Sequence, residues 1–123
     1  MVDPLDGTRE FVDRNGEFVV MVALTFQGRA VAGAIFHPTS GTLLRAREGG
    51  GAWAEDASGV RRLRVSDRDD PAAFRLLVSR SHRSPRIDAV RTALGLRDEQ
   101  PCGSVGLKMA RLARGEADLY VHF

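Results

Sequence analysis

Apolar and polar positions divide this chain into two regimes. From Glu17 to Phe26 the apolar residues are nearly continuous and include β-branched Val19, Val20 and Val22, which predicts a strand buried on both faces. Gln27-Gly28 then turns into a second apolar run, Ala30 to Phe36, closed by His37-Pro38-Thr39-Ser40-Gly41. Thr42 to Arg47 and Ala52 to Ala54 read as shorter strands separated by Gly49-Gly50-Gly51. Those glycines lack the Gly-Lys-Ser/Thr ending and following helix of a phosphate loop, so they read as a tight turn. Residues 17 to about 65 therefore predict an antiparallel meander. Ahead of it, Met1 and Val2 run into a polar turn, Asp3 to Thr8, with Asn15-Gly16 as a further turn signal.

The second regime begins after the charged, proline-ended stretch Ser66-Asp67-Arg68-Asp69-Asp70-Pro71, where strands and helices alternate. Phe74 to Ser79 predicts a strand. Ser84-Pro85 offers an N-cap and a proline at the first helical position, Ile87, Val90 and Leu94 mark one helix face, and Gly95 ends it. Ser104 caps a second helix that turns Leu107, Ala110, Leu112 and Ala113 to the core and exits at Gly115. Ala117 to Phe123 predicts a last strand. The expectation is an α/β (α+β layered) chain, cut at both ends. Residues 1–66 form a central antiparallel sheet with the polar turn, and residues 67–123 an incomplete, smaller α/β subdomain.

Composition narrows the class. The chain has 123 residues, 43% apolar and 28% charged, which suits one modest globular domain and excludes a disordered or collagenous chain. No apolar stretch approaches the ~18–20 residues of a membrane span, and no leader pattern opens the chain. Cys102, the one cysteine, excludes an internal disulfide and a cysteine-only zinc site, fits a reducing, cytoplasmic setting and reads as a buried or semi-buried thiol. Of 18 basic residues 17 are arginine, spread among 16 acids for a net charge of +2, which describes a solvated surface rather than a nucleic-acid face.

Candidate chemistry concentrates in Asp3-Pro4-Leu5-Asp6-Gly7-Thr8. Two carboxylates three residues apart around a proline can converge on a hard cation, and the fixed φ of Pro4 can expose the Leu5 carbonyl. Oxygen donors of this kind suit Mg²⁺, which keeps several waters and shares a substrate phosphate. Gly7 admits close approach of backbone to an anion, and the Thr8 hydroxyl can orient a water. The shorter pattern Asp-Pro-X-Asp-Gly also describes an ordinary surface turn. Ser104 and Lys108 lie one helical turn apart, so a capped helix N-terminus with a lysine offers a phosphate site; an ordinary capped helix with a solvated lysine remains the alternative. Lys108 is the single lysine of the chain, and a point-charge phosphate ligand is a reason for that choice. His82, in Ser79-Arg80-Ser81-His82, follows a strand end where ligand loops sit, or is a plain loop residue; His37 and His122 carry no assignment.

Read at full length, Asp3-Pro-Leu-Asp-Gly-Thr-Arg-Glu-Phe-Val-Asp-Arg-Asn-Gly-Glu-Phe18 resembles the metal-binding signature of the inositol monophosphatase superfamily, and within it the CysQ-type 3'(2'),5'-bisphosphate nucleotidases. Ser79-Arg80-Ser81-His82 is similar to that branch's nucleotide-contact loop. Gly103-Ser104-Val-Gly-Leu-Lys108 is similar to its substrate helix. The resemblance implies a Mg²⁺-dependent phosphomonoesterase that removes the 3'-phosphate of adenosine 3',5'-bisphosphate, in sulfur assimilation or nucleotide recycling. Asp3, the Leu5 carbonyl and Asp6 would bind the metal. Leu5, Asp6, Gly7 and Thr8 would contact the scissile phosphate, with Asp6 and Thr8 catalytic and Thr8 helping to activate water. Ser79, His82, Ser104 and Lys108 would hold the nucleotide and its second phosphate. Family members also draw ligands from an upstream helix and a downstream Trp-Asp motif. Neither occurs between Met1 and Phe123, so the resemblance implies an internal portion of such an enzyme, with a ligand set incomplete for two or three ions. Inositol or fructose phosphates as substrates, and a non-catalytic portion that associates through an exposed sheet, remain alternatives.

Overall fold

Short valine- and alanine-rich runs pair with their chain neighbours in the computed structural model, which describes residues Met1 to Phe123. Strands β1 (Val2–Asp6), β2 (Val19–Phe26), β3 (Arg29–His37), β4 (Thr42–Arg47), β5 (Gly51–Asp56) and β6 (Gly59–Arg62) form one six-stranded sheet in that order, antiparallel throughout. A three-stranded sheet follows, with β7 (Arg75–Ser79) at its centre and β8 (Asp98–Cys102) and β9 (Leu119–Tyr120) parallel on either side. Helix α1 (Thr8–Val12) follows β1; α2 (Arg86–Leu94) and α3 (Val105–Ala113) supply the crossovers of the parallel sheet. The expected meander is present, and so is the change to alternating strands and helices.

The layers follow from which strand face is apolar. Val19 and Met21 of β2, Ile35 of β3, Leu44 of β4 and Ala54 of β5 pack against Leu107, Ala110, Leu112 and Ala113 of α3. Gly106 makes that approach possible, because a Cβ there would lie 2.5 Å from Met21 Sδ and 2.6 Å from Val19 Cγ2. On its far side α3 meets the parallel sheet through Leu77, Cys102 and Tyr120. The opposite face of that sheet carries Leu76 and Val78, which α2 covers with Ile87. The order is six-stranded sheet, α3, parallel sheet, α2.

Several expectations need correction. Val2 to Asp6, expected to lead into and form a polar turn, is a bulged edge strand paired with β2 that turns at its end, since the backbone of Met1 and Ala23 continues the ladder. β2 is buried on one face only: Val22, Leu24 and Phe26 alternate outward and stay exposed because nothing covers that side. Thr8–Val12 is helical, although five residues are too few to show a periodic stripe. β8 escaped notice because Asp98-Glu-Gln-Pro-Cys102 is polar and contains a proline, which an edge strand tolerates. α2 begins at Arg86, with Pro85 at the cap position and the Ser84 hydroxyl accepting from the Arg86 N–H, one residue later than the cap signal implies. The last strand shrinks to Leu119–Tyr120. The glycine turn before β5, the αL cap at Gly95 and the buried thiol of Cys102 are as expected.

Candidate active site

An irregularity in β1 decides where the acids point. In a regular strand residues three apart face opposite ways. Here Asp3 pairs with Met21 and Asp6 with Val19, with the register shifting by one between them. That bulge, at the proline of an edge strand, turns both carboxylates to the face shared with α3. Asp3 Oδ1 accepts the Leu5 N–H at 3.1 Å, and the Leu5 carbonyl accepts the Thr8 hydroxyl at 3.2 Å. Asp3, Leu5, Asp6 and Thr8 therefore form one turn.

Gly7 is what allows this turn to close. Its φ is +93°, and a Cβ would stand 2.8 Å from the Glu17 carbonyl and 3.1 Å from the Ser104 Cβ. α1 can then begin against α3. Asp6 Oδ2 accepts the Ser104 hydroxyl at 2.5 Å and the Gly106 N–H at 2.6 Å. Ser104 caps α3 as expected, accepting the Leu107 N–H at 2.9 Å. The first-turn amides of α3 are thus already engaged by a carboxylate and a hydroxyl from the protein itself.

Lys108 is buried, 2% exposed, rather than solvated. Its Nζ turns back to the Ser104 carbonyl at 3.0 Å and the Gly103 carbonyl at 3.4 Å, and lies 5.1 Å from the centre of the Tyr120 ring. Burial pushes its ammonium below the usual lysine range, against the attraction of nearby negative groups that include Asp6, Glu10 and Glu17. Burial likewise raises the Tyr120 phenol, whose oxygen lies 3.0 Å from His122 Nδ1. Ser79 and His82 stand apart from this cluster. They line a small cleft, about 20 Å³, with Tyr120 and His122, and the Ser79 hydroxyl accepts the His82 N–H at 3.3 Å. The structure thus gathers Asp3, Leu5, Asp6, Gly7, Thr8, Ser104 and Lys108, while Ser79 and His82 occupy the adjoining cleft that Tyr120 links to Lys108.

Two acids escaped the sequence reading. Glu10, 5% exposed, accepts the Ser81 hydroxyl at 2.9 Å. Glu17 takes a two-point contact from Arg80, at 2.7 and 2.8 Å, and the Gly103 N–H at 2.6 Å. The Arg80 guanidinium holds the Glu17 carboxyl below the usual range. A carboxylate on either side of the Asn15-Gly16 turn gives no local signal of such distant partners.

Oxygen donors in this turn fit a hard cation in kind. Asp3 Oδ2 and Asp6 Oδ1 accept no hydrogen bond, and the Leu5 carbonyl stands beside them in sequence. No group of three or more His, Cys, Asp or Glu side chains gathers anywhere in the chain. Two carboxylates and a carbonyl suit an ion that retains waters and shares a phosphate ligand.

This layered arrangement, with a bulged acidic strand facing a helix start, is a known phosphatase-family fold. A SuhB structure from Mycobacterium tuberculosis superposes with a TM-score of 0.85 at 30% identity, over 97% of this chain and 50% of that one. CysQ from Bacteroides thetaiotaomicron, a bacterial member of the inositol monophosphatase family, superposes with a TM-score of 0.82 at 34% identity, again over 97% and 50%. The chain itself belongs to the inositol monophosphatase family, whose model matches residues 1–123. The 3'(2'),5'-bisphosphate nucleotidases CysQ of Salmonella typhimurium and Escherichia coli K12 are 38% and 37% identical to it over 123 residues. Those matches take in all of this chain and 48% of each relative, so the chain spans about half the length of the curated relatives it matches.

Proposed function

We propose that this chain carries the central catalytic segment of a Mg²⁺-dependent phosphomonoesterase that removes the 3'-phosphate of adenosine 3',5'-bisphosphate. The observation that carries the reading is the contact of Asp6 with Ser104 and Gly106, which brings the acidic turn against the start of α3. Identity to two bisphosphate nucleotidases supports the choice of substrate class. Asp3, the Leu5 carbonyl and Asp6 would hold Mg²⁺. When bound, the ion supplies charge neutralisation and polarisation of the phosphate ester. The Thr8 hydroxyl, which donates to the Leu5 carbonyl, would orient the attacking water. Gly7, with no side chain, leaves backbone accessible to the scissile phosphate. Ser79, His82, Ser104 and Lys108 would hold the nucleoside and the phosphate that is not cleaved, the buried ammonium supplying positive charge in a site of low dielectric.

A second reading, hydrolysis of an inositol phosphate, draws support from the inositol monophosphatase family model that matches residues 1–123. The test is phosphate release by the purified chain with Mg²⁺, from 3'-phosphoadenosine 5'-phosphate and inositol 1-phosphate in parallel. Under the first reading, any release comes from the nucleotide and falls to background in Asp6→Asn and in Thr8→Ala. Release from the inositol ester alone transfers the assignment to the second reading. Release from neither means that residues beyond this segment are required.

A further inference from the structure

The junction between β8 and α3 is held in a conformation that it would not choose alone. Ser104 sits at φ 48° and ψ 131°, outside the ordinary regions for a residue with a side chain. Such strain persists only where the surroundings over-determine it. Asp6 fixes the Ser104 side, and Glu17 fixes the Gly103 side by accepting a buried backbone N–H that would otherwise lack a partner. The same Glu17 carboxylate takes the fork of Arg80, whose backbone N–H donates to the Cys102 carbonyl at 3.2 Å and whose Nη2 donates to the Pro101 carbonyl at 3.3 Å. Glu10 completes the joint. Its oxygen accepts from Ser81, and its methylenes fill the space above Gly103, where a Cβ would lie 2.3 Å from Glu10 Cγ.

We propose that Glu17, assisted by Glu10, is a positioning residue: it locks the Gly103–Ser104 junction and the Arg80–Ser81 segment onto the acidic turn. Three stretches distant in sequence are thereby held in one register: the turn at Asp6, the loop Ser79–His82 and the start of α3. An exposed ion pair contributes little, and Arg80 by itself is such a partner. The third contact, to a buried amide at a strained junction, is what separates Glu17 from an ordinary surface pair. What the positioned residues then do rests on the phosphatase reading; that they are positioned does not.

Nuclear magnetic resonance of the full ¹⁵N-labelled chain tests this without substrate, metal or turnover, so failure of the phosphatase reading leaves the result intact. In Glu17→Gln the neutral acceptor replaces a charge-assisted one. The Gly103 amide proton is expected to move upfield and its exchange to accelerate about tenfold, while the amides of β3 and β4 keep their protection. Arg80→Lys removes the fork but leaves the carboxylate, so Gly103 should stay in place while Ser81 and His82 shift. An unmoved Gly103 in Glu17→Gln overturns the proposal, as does a uniform loss of protection across β3 and β4, which marks general support of the fold. Should Glu17→Gln fail to fold, Arg80→Lys decides: shifted Ser81 and His82 with Gly103 retained supports the proposal, and all three unmoved overturns it.

Discussion

Gly7 shows how much a single backbone angle carries in this chain. Its positive φ lets the acidic turn reverse into α1, and its missing Cβ lets that turn lie against Glu17 and Ser104. Gly28 also has a positive φ, +77°, but nothing lies within 4 Å of where its Cβ would be. Gly28→Ala should therefore cost only the backbone strain, about 1 kcal/mol, whereas Gly7→Ala should cost about 3 kcal/mol because a clash with backbone adds to it. Urea unfolding of the two variants checks the difference; equal losses would mean that the packing around Gly7 gives way. The glycine was legible in the sequence as a turn residue. Its closeness to Ser104 was not, because nothing local encodes a partner 97 residues away.

Elements are tied together by one buried acid outside the site. Asp118, its side chain 2% exposed, accepts the Arg75 backbone N–H at 2.8 Å and both arms of the Arg75 guanidinium, and it also bonds Ser66. This joins the connector between the sheets to β7 and to the approach of β9. Removing one partner of a buried pair strands the other, so Asp118→Asn should lose about 3 kcal/mol in urea unfolding. The bonds to Arg75 hold the Asp118 carboxyl well below its ordinary value of 3.8, and Arg80 lowers Glu17 below 4.5. Both groups bind a proton more readily unfolded than folded. Their stabilisation is complete above those ordinary values and is lost as pH falls below them toward the lowered folded values. Stability measured from pH 6 downward should decline from about pH 4.5, and more shallowly in Asp118→Asn.

At the scale of the whole molecule, the six-stranded sheet is covered on one side. Val22, Leu24 and Phe26 of β2, with Phe36 of the neighbouring β3, leave an apolar band on the other face, with Leu24 62% and Phe26 65% exposed. A contiguous band of this kind binds apolar dyes and drives association. The chain should therefore enhance the fluorescence of an anilinonaphthalene sulfonate dye and elute earlier from size exclusion as its concentration rises. Leu24→Lys with Phe26→Lys should reduce both effects. A dye signal unchanged by the pair would place the exposed apolar surface elsewhere.

Strand runs, glycine turns, the α3 cap and the acidic hexapeptide were legible in the sequence, because each depends on residues within about one turn or one strand of one another. The oxygen donors of Asp3, Leu5, Asp6 and Thr8 are visible there for the same reason. Tertiary structure alone decided the rest. Pairing with β2 bulged β1 and brought Asp3 and Asp6 to one face, and α3 covered one side of the sheet and left the other bare. Folding also buried Lys108 among acids that a linear reading leaves scattered, and sent Glu10 and Glu17 across to residues far along the chain. The physical reason is common to all of these. Local pattern fixes which face of an element is apolar, whereas the partner of a charged group is fixed only when distant backbone segments are packed within hydrogen-bond reach.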